Sequence, residues 1–249
     1  IVWYQTIGID ALPTSDNSHG VVYESSNGFY SNTPANQAIP ITDNNYEIYN
    51  LTADYVGYYA IADATQLYWF ANLVNNGTTN AKALLLADIV VNANVLGADG
   101  TLNGNPSDYR TWTPIGTDSY AYAGTFDGQG HTISGLYFNN TNTLNVGLFG
   151  YISNPTIKNV GLVDSYLKGN RYVGGIAGFV NGAAQITNCY NAATVYANYT
   201  YGYVGGICGC LGNASALVDN CYNTGYVSGY KEDVGGICGY QAYGRITNS

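Results

Sequence analysis

The sequence has little charge. Asp, Glu, Lys and Arg make up 9% of its 249 residues, against about a quarter in ordinary globular proteins. Seven Lys and Arg face sixteen Asp and Glu, so the net charge is −9. Binding to nucleic acid or to an anionic membrane surface depends on clustered basic residues. The composition therefore predicts neither of these partners.

Methionine is absent, and so are long hydrophobic runs. No apolar stretch approaches the roughly 18 residues that a membrane-spanning helix needs, and the start of the chain does not resemble a signal peptide. The chain begins at Ile1 and ends at Ser249. Because that end falls partway through a repeat, we expect an excised piece or a processed product of a larger protein.

Lysine and arginine are missing from residues 1–81, which carry seven of the acidic residues. This asymmetry separates the beginning of the chain from the rest. We predict an irregular acidic leader or junction over residues 1–59, in which 1–7, 20–23 and 28–30 are candidate strands. Residues 60–249 are predicted to form a second unit, a helix followed by repeats.

What the sequence does contain is a repeat with two interleaved motifs. Glycine-rich blocks begin at Val146, Val173, Val204 and Val234, and a second motif follows each block at 156–160, 185–189, 217–221 and 245–249. Two motifs that share one period predict stacked coils of a solenoid. The positions assigned a structural role in the repeat are Gly147, Gly150, Gly175, Gly178, Gly206, Gly209, Gly236, Gly239, Asn159, Asn188, Asn220 and Asn248.

The residues that fill the period indicate which solenoid this is. Gly, Asn, Thr, Tyr and Val dominate, and no stretch after Val146 is suited to a helix. We therefore predict an all-β fold, a parallel β-helix, which the crossover rule makes right-handed. Val173 and Ile176 cannot both point inward from one strand, so the intervening Gly pair should form a bend. The repeated asparagines should stack as a column of amides at one corner.

A single helix is predicted over residues 63–76. Leu67, Phe70, Ala71 and Val74 fall on one face, Asp63 or Thr65 can serve as N-cap, and Gly77 follows as a stop signal. An amphipathic helix at this place can cover the open N-terminal end of the β-helix core.

The glycine-rich blocks resemble a known family. Residues 147–150 have the Gly-Leu-x-Gly form of the GLUG repeat, residues 175–178, 206–209 and 236–239 have Ile in place of Leu, and 124–136 resembles the segment that commonly precedes such repeats. GLUG repeats occur in adhesin-like bacterial surface proteins and in non-catalytic parts of IgA-cleaving peptidases. The resemblance implies a structural or adhesive module, extracellular and either secreted or held at a bacterial cell surface.

The five cysteines follow the repeat with one exception. Cys189 and Cys221 share one repeat position, and Cys208 and Cys238 share another. Stacked cysteines about 4.8 Å apart with parallel Cβ vectors fit disulfide geometry poorly, so we expect free buried thiols. Cys210 lies off the pattern and is predicted to be an exposed, reactive thiol. No second doublet of ligands accompanies these cysteines, so we predict no metal site and no cofactor.

A polysaccharide-degrading lyase or glycosidase is the enzymatic alternative, because other parallel β-helices carry such activities. Those reactions use two or three carboxylates converging on one face. Asp219 has no carboxylate at the same position in neighbouring coils, and the best pair, Asp127 and His131, lies in a glycine-rich turn where the Asp should bond to backbone. We therefore predict no catalytic residues and a protein that is not an enzyme.

Tyrosines carry the binding hypothesis. Of the 26 tyrosines, a group clusters in the variable part of the last repeats: Tyr196, Tyr199, Tyr201, Tyr203, Tyr226 and Tyr230. Tyrosine offers a rigid ring with a polar tip, suited to a protein or glycan ligand. The alternative is that these rings only cover a surface with little charge. Self-stacking through open coil ends is a further possible contact.

Overall fold

The computed structural model describes residues 21–25, 28–31, 57–199, 201–230 and 233–249. Within these ranges there is one α-helix, α1, which spans Ala64–Asn75, and a short 3-10 helix spans Pro106–Asp108. All other regular elements are strands: β1 (Val21–Ser25), β2 (Gly28–Ser31), β3 (Tyr58–Ile61), β4 (Lys82–Leu85), β5 (Ile89–Val90), β6 (Thr125–Asp127), β7 (Thr132–Ser134), β8 (Tyr137–Asn139), β9 (Asn145–Val146), β10 (Phe149–Ser153), β11 (Thr156–Lys158), β12 (Gly161–Gly169), β13 (Tyr172–Gly174), β14 (Ala177–Asn181), β15 (Gln185–Thr187), β16 (Tyr190–Ala197), β17 (Tyr203–Gly205), β18 (Cys208–Leu211), β19 (Leu217–Asp219), β20 (Tyr222–Asn223), β21 (Val227–Gly229), β22 (Val234–Gly235), β23 (Cys238–Gln241) and β24 (Arg245–Thr247).

The strands form four sheets. Sheet 1 has the order β2-β1-β3-β4-β6-β11-β15-β19-β24, and sheet 2 has the order β20-β16-β12-β7-β5 with β8 and β21 added at its side. Sheet 3 is β22-β17-β13-β9, and sheet 4 is β10-β14-β18-β23. Pairing in the coils is parallel throughout. The predicted parallel β-helix of about four turns is confirmed, and its right-handedness stays a prediction.

The glycine-rich blocks lie over one another as rungs. Phe149 pairs with Ala177, Ala177 with Cys208, and Cys208 with Cys238. Between sheets 3 and 4 the Gly pair forms the expected bend, since β13 ends at Gly174, β14 begins at Ala177, and both Val173 and Ile176 are fully buried. A Cβ on Gly175 would lie 2.4 Å from the Asn191 side-chain oxygen, so this bend excludes larger residues.

The helix is confirmed and packs on the first coil. The Asp63 carboxylate caps it by accepting a hydrogen bond from the Gln66 N–H at 2.8 Å, which decides between the two predicted N-caps. Phe70 reaches down to Tyr122 and Phe126, with ring centroids 6.0 and 6.1 Å away. Across the described residues, no helix is long and apolar enough to cross a membrane.

The leader contributes a hairpin to sheet 1. The candidate strands at 20–23 and 28–30 are confirmed as β1 and β2, which pair with each other antiparallel, and β1 also pairs with β3. The candidate strand at 1–7 lies outside the described residues. Strand β3 crosses the predicted boundary between residues 59 and 60, and the division of the chain there stays a prediction.

An amide ladder marks the corner between sheets 1 and 2. Each rung adopts a left-handed conformation, with φ of 56° at Asn159, 53° at Asn188 and 50° at Asn220, which Asn tolerates better than most residues. Asn188 donates to Asn159 at 3.0 Å, and Asn220 donates to Asn188 at 2.7 Å. Asn248 shares the conformation, but its amide donates to the Asp219 carboxylate at 2.8 Å.

The ladder begins at a buried carboxylate. Asp127 is fully buried and accepts from the Asn159 amide at 3.0 Å and from the Gln129 N–H at 3.0 Å. The Lys158 ammonium lies 3.1 Å from its other oxygen. Burial pushes the pKa of Asp127 upward, but these donors outweigh it and bring the pKa below its ordinary value.

All five cysteines are free thiols, as predicted. The expectation of an exposed Cys210 is wrong, because its side chain is 3% exposed. Cys210 pairs in register with Phe179 on one side and Tyr240 on the other, two bulky neighbours on the same face. Burial raises the pKa of this thiol to about 12, so it is not the reactive thiolate that the sequence indicated.

Candidate functional site

The residues considered for catalysis do not converge. Asp127 is engaged by Lys158 and Asn159, as described above, whereas His131 lies against Asp88, with Nδ1 3.4 Å from the carboxylate. The Asp219 carboxylate accepts from the Thr247 hydroxyl at 2.6 Å. In the described part of the chain, no group of three or more His, Cys, Asp or Glu residues is arranged to hold a metal ion.

Tyrosines instead gather on the outer face of sheet 2. Tyr137, Tyr166 and Thr194 are register partners on successive coils. The Tyr226 carbonyl accepts from the Val195 N–H at 2.8 Å, which places Tyr226 beside Thr194 on the next coil. Tyr196 follows Thr194 by two residues and therefore points to the same face. The short Thr194 side chain leaves a gap in this column of rings.

A loop from outside the repeats covers one side of the gap. The register between β12 and β16 shifts at Asp164, which has a φ of 41°. Its carboxylate accepts from the Val95 and Leu96 N–H groups at 3.2 and 2.8 Å. Further along the loop, the Thr194 hydroxyl donates to the Gly100 carbonyl at 2.6 Å. The bulge and the hydroxyl thus hold residues 92–110 against the sheet.

The loop and the rings enclose a groove of about 380 Å³. We call it the tyrosine groove, and its lining is Asp99, Gly100, Thr101, Leu102, Tyr166, Thr194, Tyr196 and Tyr226. Tyr226 is 61% exposed, whereas Thr194 at the base is 5% exposed. This volume falls in the range of small-molecule sites. Ring surfaces on one side and polar groups on the other suit a ligand with both apolar and hydroxylated faces.

The groove carries one carboxylate. Asp99 Oδ1 accepts from the Thr101 hydroxyl at 2.7 Å and from its N–H at 3.0 Å, and these hydrogen bonds lower the pKa of Asp99. Burial raises the pKa of Tyr166, so its hydroxyl stays protonated. The Lys168 ammonium lies 5.0 Å from the Tyr196 ring centre. One fixed carboxylate with several hydroxyl groups is an arrangement for hydrogen bonding to a ligand.

The six predicted tyrosines do not lie together in the structure. Tyr196 and Tyr226 line the tyrosine groove. Tyr199 and Tyr201 pack together, with ring centres 6.0 Å apart, at the corner that leads to β17, where Tyr203 lies. Tyr230 is 61% exposed and outside the groove. The prediction that all six act as one binding surface therefore stays untested, and the structure brings two of them together around a cavity.

Sequence reasoning missed part of the lining. Tyr166 could have been found, because it occupies the repeat position of Tyr137 and Thr194. Residues 99–102 gave no signal, since the loop belongs to no repeat and reaches the groove only through the Asp164 bulge. That loop supplies the carboxylate of the groove, Asp99.

A larger cleft of about 510 Å³ lies near the first coil, between residues 112–118 and 138–145. The Asn145 amide donates to the Asp118 carboxylate at 2.9 Å within it. Its aromatic lining is almost covered, as Trp112 is 1% exposed and Phe138 is 7% exposed. The cleft thus lacks the open ring surface that distinguishes the tyrosine groove.

The chain is similar in sequence or in fold to known proteins. Residues 169–196, from the end of β12 to Tyr196, match the family model of the GLUG motif. The chain is 31% identical over 178 residues to halomucin from Haloquadratum walsbyi, which covers 68% of this chain and 2% of halomucin. A crystal structure of a candidate immunoglobulin A1 protease from Bacteroides ovatus is similar in fold, with a TM-score of 0.55 and 23% identity. That likeness covers 76% of this chain and 63% of the other.

Proposed function

From the GLUG repeats that build the β-solenoid of this chain, we propose that it is a non-catalytic binding module of a larger secreted or surface-associated protein. The ligand is a glycan, and the tyrosine groove takes one or two of its sugar residues. Adhesion to a host or neighbouring cell would follow from that binding. The observation that carries the proposal is the open groove that Tyr196, Tyr226 and Asp99 line together.

The chemistry of the groove matches a neutral sugar. The apolar face of a pyranose stacks on a tyrosine ring, while its hydroxyl groups pair with carboxylate and hydroxyl oxygens. The Asp99 carboxylate is already oriented by Thr101, so little ordering is needed on binding. Glycoside hydrolysis uses a pair of carboxylates about 5–10 Å apart, and the lining of the groove contains one. Binding without cleavage is the function that this lining supports.

The similarity to halomucin and the GLUG motif support a place outside the cell. The low charge and the abundance of Asn, Thr, Ser and Tyr fit a surface that is solvated by neutral polar groups. Protease treatment of intact cells that make the parent protein tests this placement. Release of fragments containing the GLUG repeats is expected, and full protection in intact but not in lysed cells would contradict it.

Alanine substitution tests the groove. Tyr196→Ala and Tyr226→Ala should each weaken binding to neutral glycans at least about tenfold, because each removes a ring from the groove. Tyr243→Ala is the matched control, since Tyr243 is 63% exposed, like Tyr226, and lies outside the groove. Binding is measured on a glycan array and then by calorimetry with the best neutral ligand. Equal losses in all three variants, or no loss in the groove variants, would contradict the proposal.

A further inference from the structure

A second surface, at the corner between sheets 2 and 3, is centred on Arg171. The guanidinium carbon of this half-buried residue lies 5.0 Å from the ring centre of Tyr172 and 5.5 Å from that of Tyr203. The two rings are themselves 5.5 Å apart. Aromatic faces attract a cation. The rings on consecutive coils therefore fix the guanidinium in place without neutralising its charge.

Arg171 has no carboxylate within ion-pair distance among the described residues, although acidic side chains outnumber basic ones in the chain by sixteen to seven. Its Nε is buried and has no hydrogen-bond acceptor. The Tyr203 N–H donates to the Arg171 carbonyl at 2.6 Å, and the Tyr203 hydroxyl raises the pKa of Arg171. A guanidinium has five N–H donors, so this pre-positioned cation keeps donors for an acceptor that the described part of the chain does not supply.

Exposed rings surround this cation. Tyr199 is 41% exposed and Tyr201 is 60% exposed, with their ring planes at 64°. The Gly202 N–H donates to the Tyr199 carbonyl at 3.0 Å, and the next residue, Tyr203, donates to the Arg171 carbonyl at 2.6 Å, so the turn that carries Tyr199 lies beside Arg171. On the other side, Tyr203 stacks on Tyr240 with ring centres 4.6 Å apart. The corner thus combines one guanidinium with several ring faces, whereas the charge that lines the tyrosine groove is the Asp99 carboxylate.

We propose that Arg171, together with Tyr172, Tyr199 and Tyr203, binds the carboxylate of an acidic sugar residue in a glycan chain. The guanidinium fork accommodates a carboxylate through two parallel N–H···O bonds, and the exposed rings accommodate the sugar ring beside it. An acidic peptide would also offer carboxylates, but it has no rigid ring to use the exposed tyrosines. The inference rests on the proposed glycan-binding function, although it concerns a different surface from the tyrosine groove.

The test uses the whole 249-residue chain and two probes. One is a hexasaccharide of alternating glucuronate and N-acetylglucosamine, and the other is the same hexasaccharide with its carboxyl groups reduced to alcohols. We expect the acidic probe to bind, to bind more weakly as salt rises, and to lose about 10- to 100-fold in affinity in Arg171→Gln. The affinity of Arg171→Lys for the acidic probe should lie between those of the wild type and Arg171→Gln, because lysine keeps the charge but not the planar guanidinium fork.

Arg110→Gln is the matched control. Arg110 also lies over a tyrosine, with its guanidinium carbon 3.6 Å from the Tyr68 ring centre, but it is far from the corner in the coil order. Affinity for the acidic probe should be unchanged in this variant, and circular dichroism should show that each variant keeps its β structure. Equal losses in Arg110→Gln and Arg171→Gln would mean a general charge effect and would overturn the proposal.

The remaining outcomes distinguish the inference at Arg171 from the proposed function of the tyrosine groove. No binding of the acidic probe, equal binding of the reduced probe, or tighter Arg171-dependent binding of a glutamate-rich peptide or a sulfated hexasaccharide would overturn the inference at Arg171. Neutral glycans that still bind in a Tyr226-dependent manner would leave the proposed function intact in each of those cases. Conversely, Arg171-dependent binding of the acidic probe without any neutral ligand for the groove would support the corner and contradict the groove.

Discussion

The end of the solenoid that carries the helix and the coils after it differ in what fills the interior. At the helix end, Tyr122, Phe126 and Phe149 of two neighbouring coils fill the interior, with Tyr122 and Phe149 stacked at 5.1 Å and Phe126 edge-on to Phe149 at 5.3 Å. In the following coils, the place of Phe149 is taken by Ala177 and then Cys208. The helix end must meet the side chains of α1, whereas the later coils meet copies of themselves. Large rings fill the irregular junction, and small residues suffice where identical rungs stack.

The amide ladder shows the same difference between the helix end and the later coils. The ladder begins on a carboxylate that is paired with Lys158 and continues on neutral amides. The Asp127 carboxylate accepts hydrogen bonds and donates none, so the ladder can begin there without an acceptor on the preceding coil. Each amide after it both donates and accepts. The unit at the helix end is thus specialised, and the units after it are repetitive, as in other solenoids.

The largest expected effect tests the two interiors directly. Phe149→Ala should lower the free energy of unfolding by about 3–5 kcal/mol, because it leaves a cavity among three aromatic rings. Cys208→Ala, in the same column two coils later, should cost about 1 kcal/mol, since it removes one sulfur atom. Urea unfolding of both variants measures the difference. Similar losses of unfolding free energy in Phe149→Ala and Cys208→Ala would mean that the core is not packed more densely at the helix end.

The second effect concerns the amide ladder in the later coils. Asn188→Ala removes one donated and one accepted hydrogen bond and places Ala at a φ of 53°, for a cost of about 2 kcal/mol. Asn94→Ala is the control, because Asn94 has a φ of 54° but lies outside the ladder, and about 1 kcal/mol is expected. The comparison is made by chemical unfolding at neutral pH. If the two variants cost the same, the ladder adds no stability beyond its backbone conformation.

The smallest effect is a pH dependence at the start of the ladder. Because the folded state lowers the pKa of Asp127 below its ordinary value of 3.8, the ionised carboxylate stabilises the fold above that pH. The contribution is lost as pH falls through the lowered pKa. The stability difference between the wild type and Asp127→Asn should therefore be constant from about pH 7 to 5 and shrink as the pH falls below about 4. A difference that does not change with pH would contradict the assigned role of the carboxylate.

The sequence predicted the elements that depend on spacing. The rung positions, the Gly-Gly bend and the asparagine column all follow from a shared period, and helix α1 follows from four apolar residues on one face with Asp63 before them. The burial of Cys210 did not follow, because Cys210 lies outside the core cluster and its neighbours on adjacent coils are Phe179 and Tyr240. Cross-coil packing of this kind depends on which residues meet, and a single repeat does not show it.

The sequence pointed to part of the two surfaces that we propose for binding, and the binding itself stays a prediction. The concentration of tyrosines in the last repeats pointed to sheet 2 and to the next corner. It did not show that the rings divide between two surfaces, because the division depends on where β16 ends and β17 begins. Nor did it show the contribution of Arg171, whose chemistry is visible only when its neighbours are known to be rings and not carboxylates.

The loop held by Asp164 has a consequence for how such a module changes over time. Residues 92–110 supply half of the tyrosine groove but add no strand to the coils beyond the first. Substitutions, insertions or a different length in this segment can alter what the groove accepts without disturbing the register of the rungs. Specificity and scaffold can therefore diverge independently, and proteins that share these coils need not share a ligand.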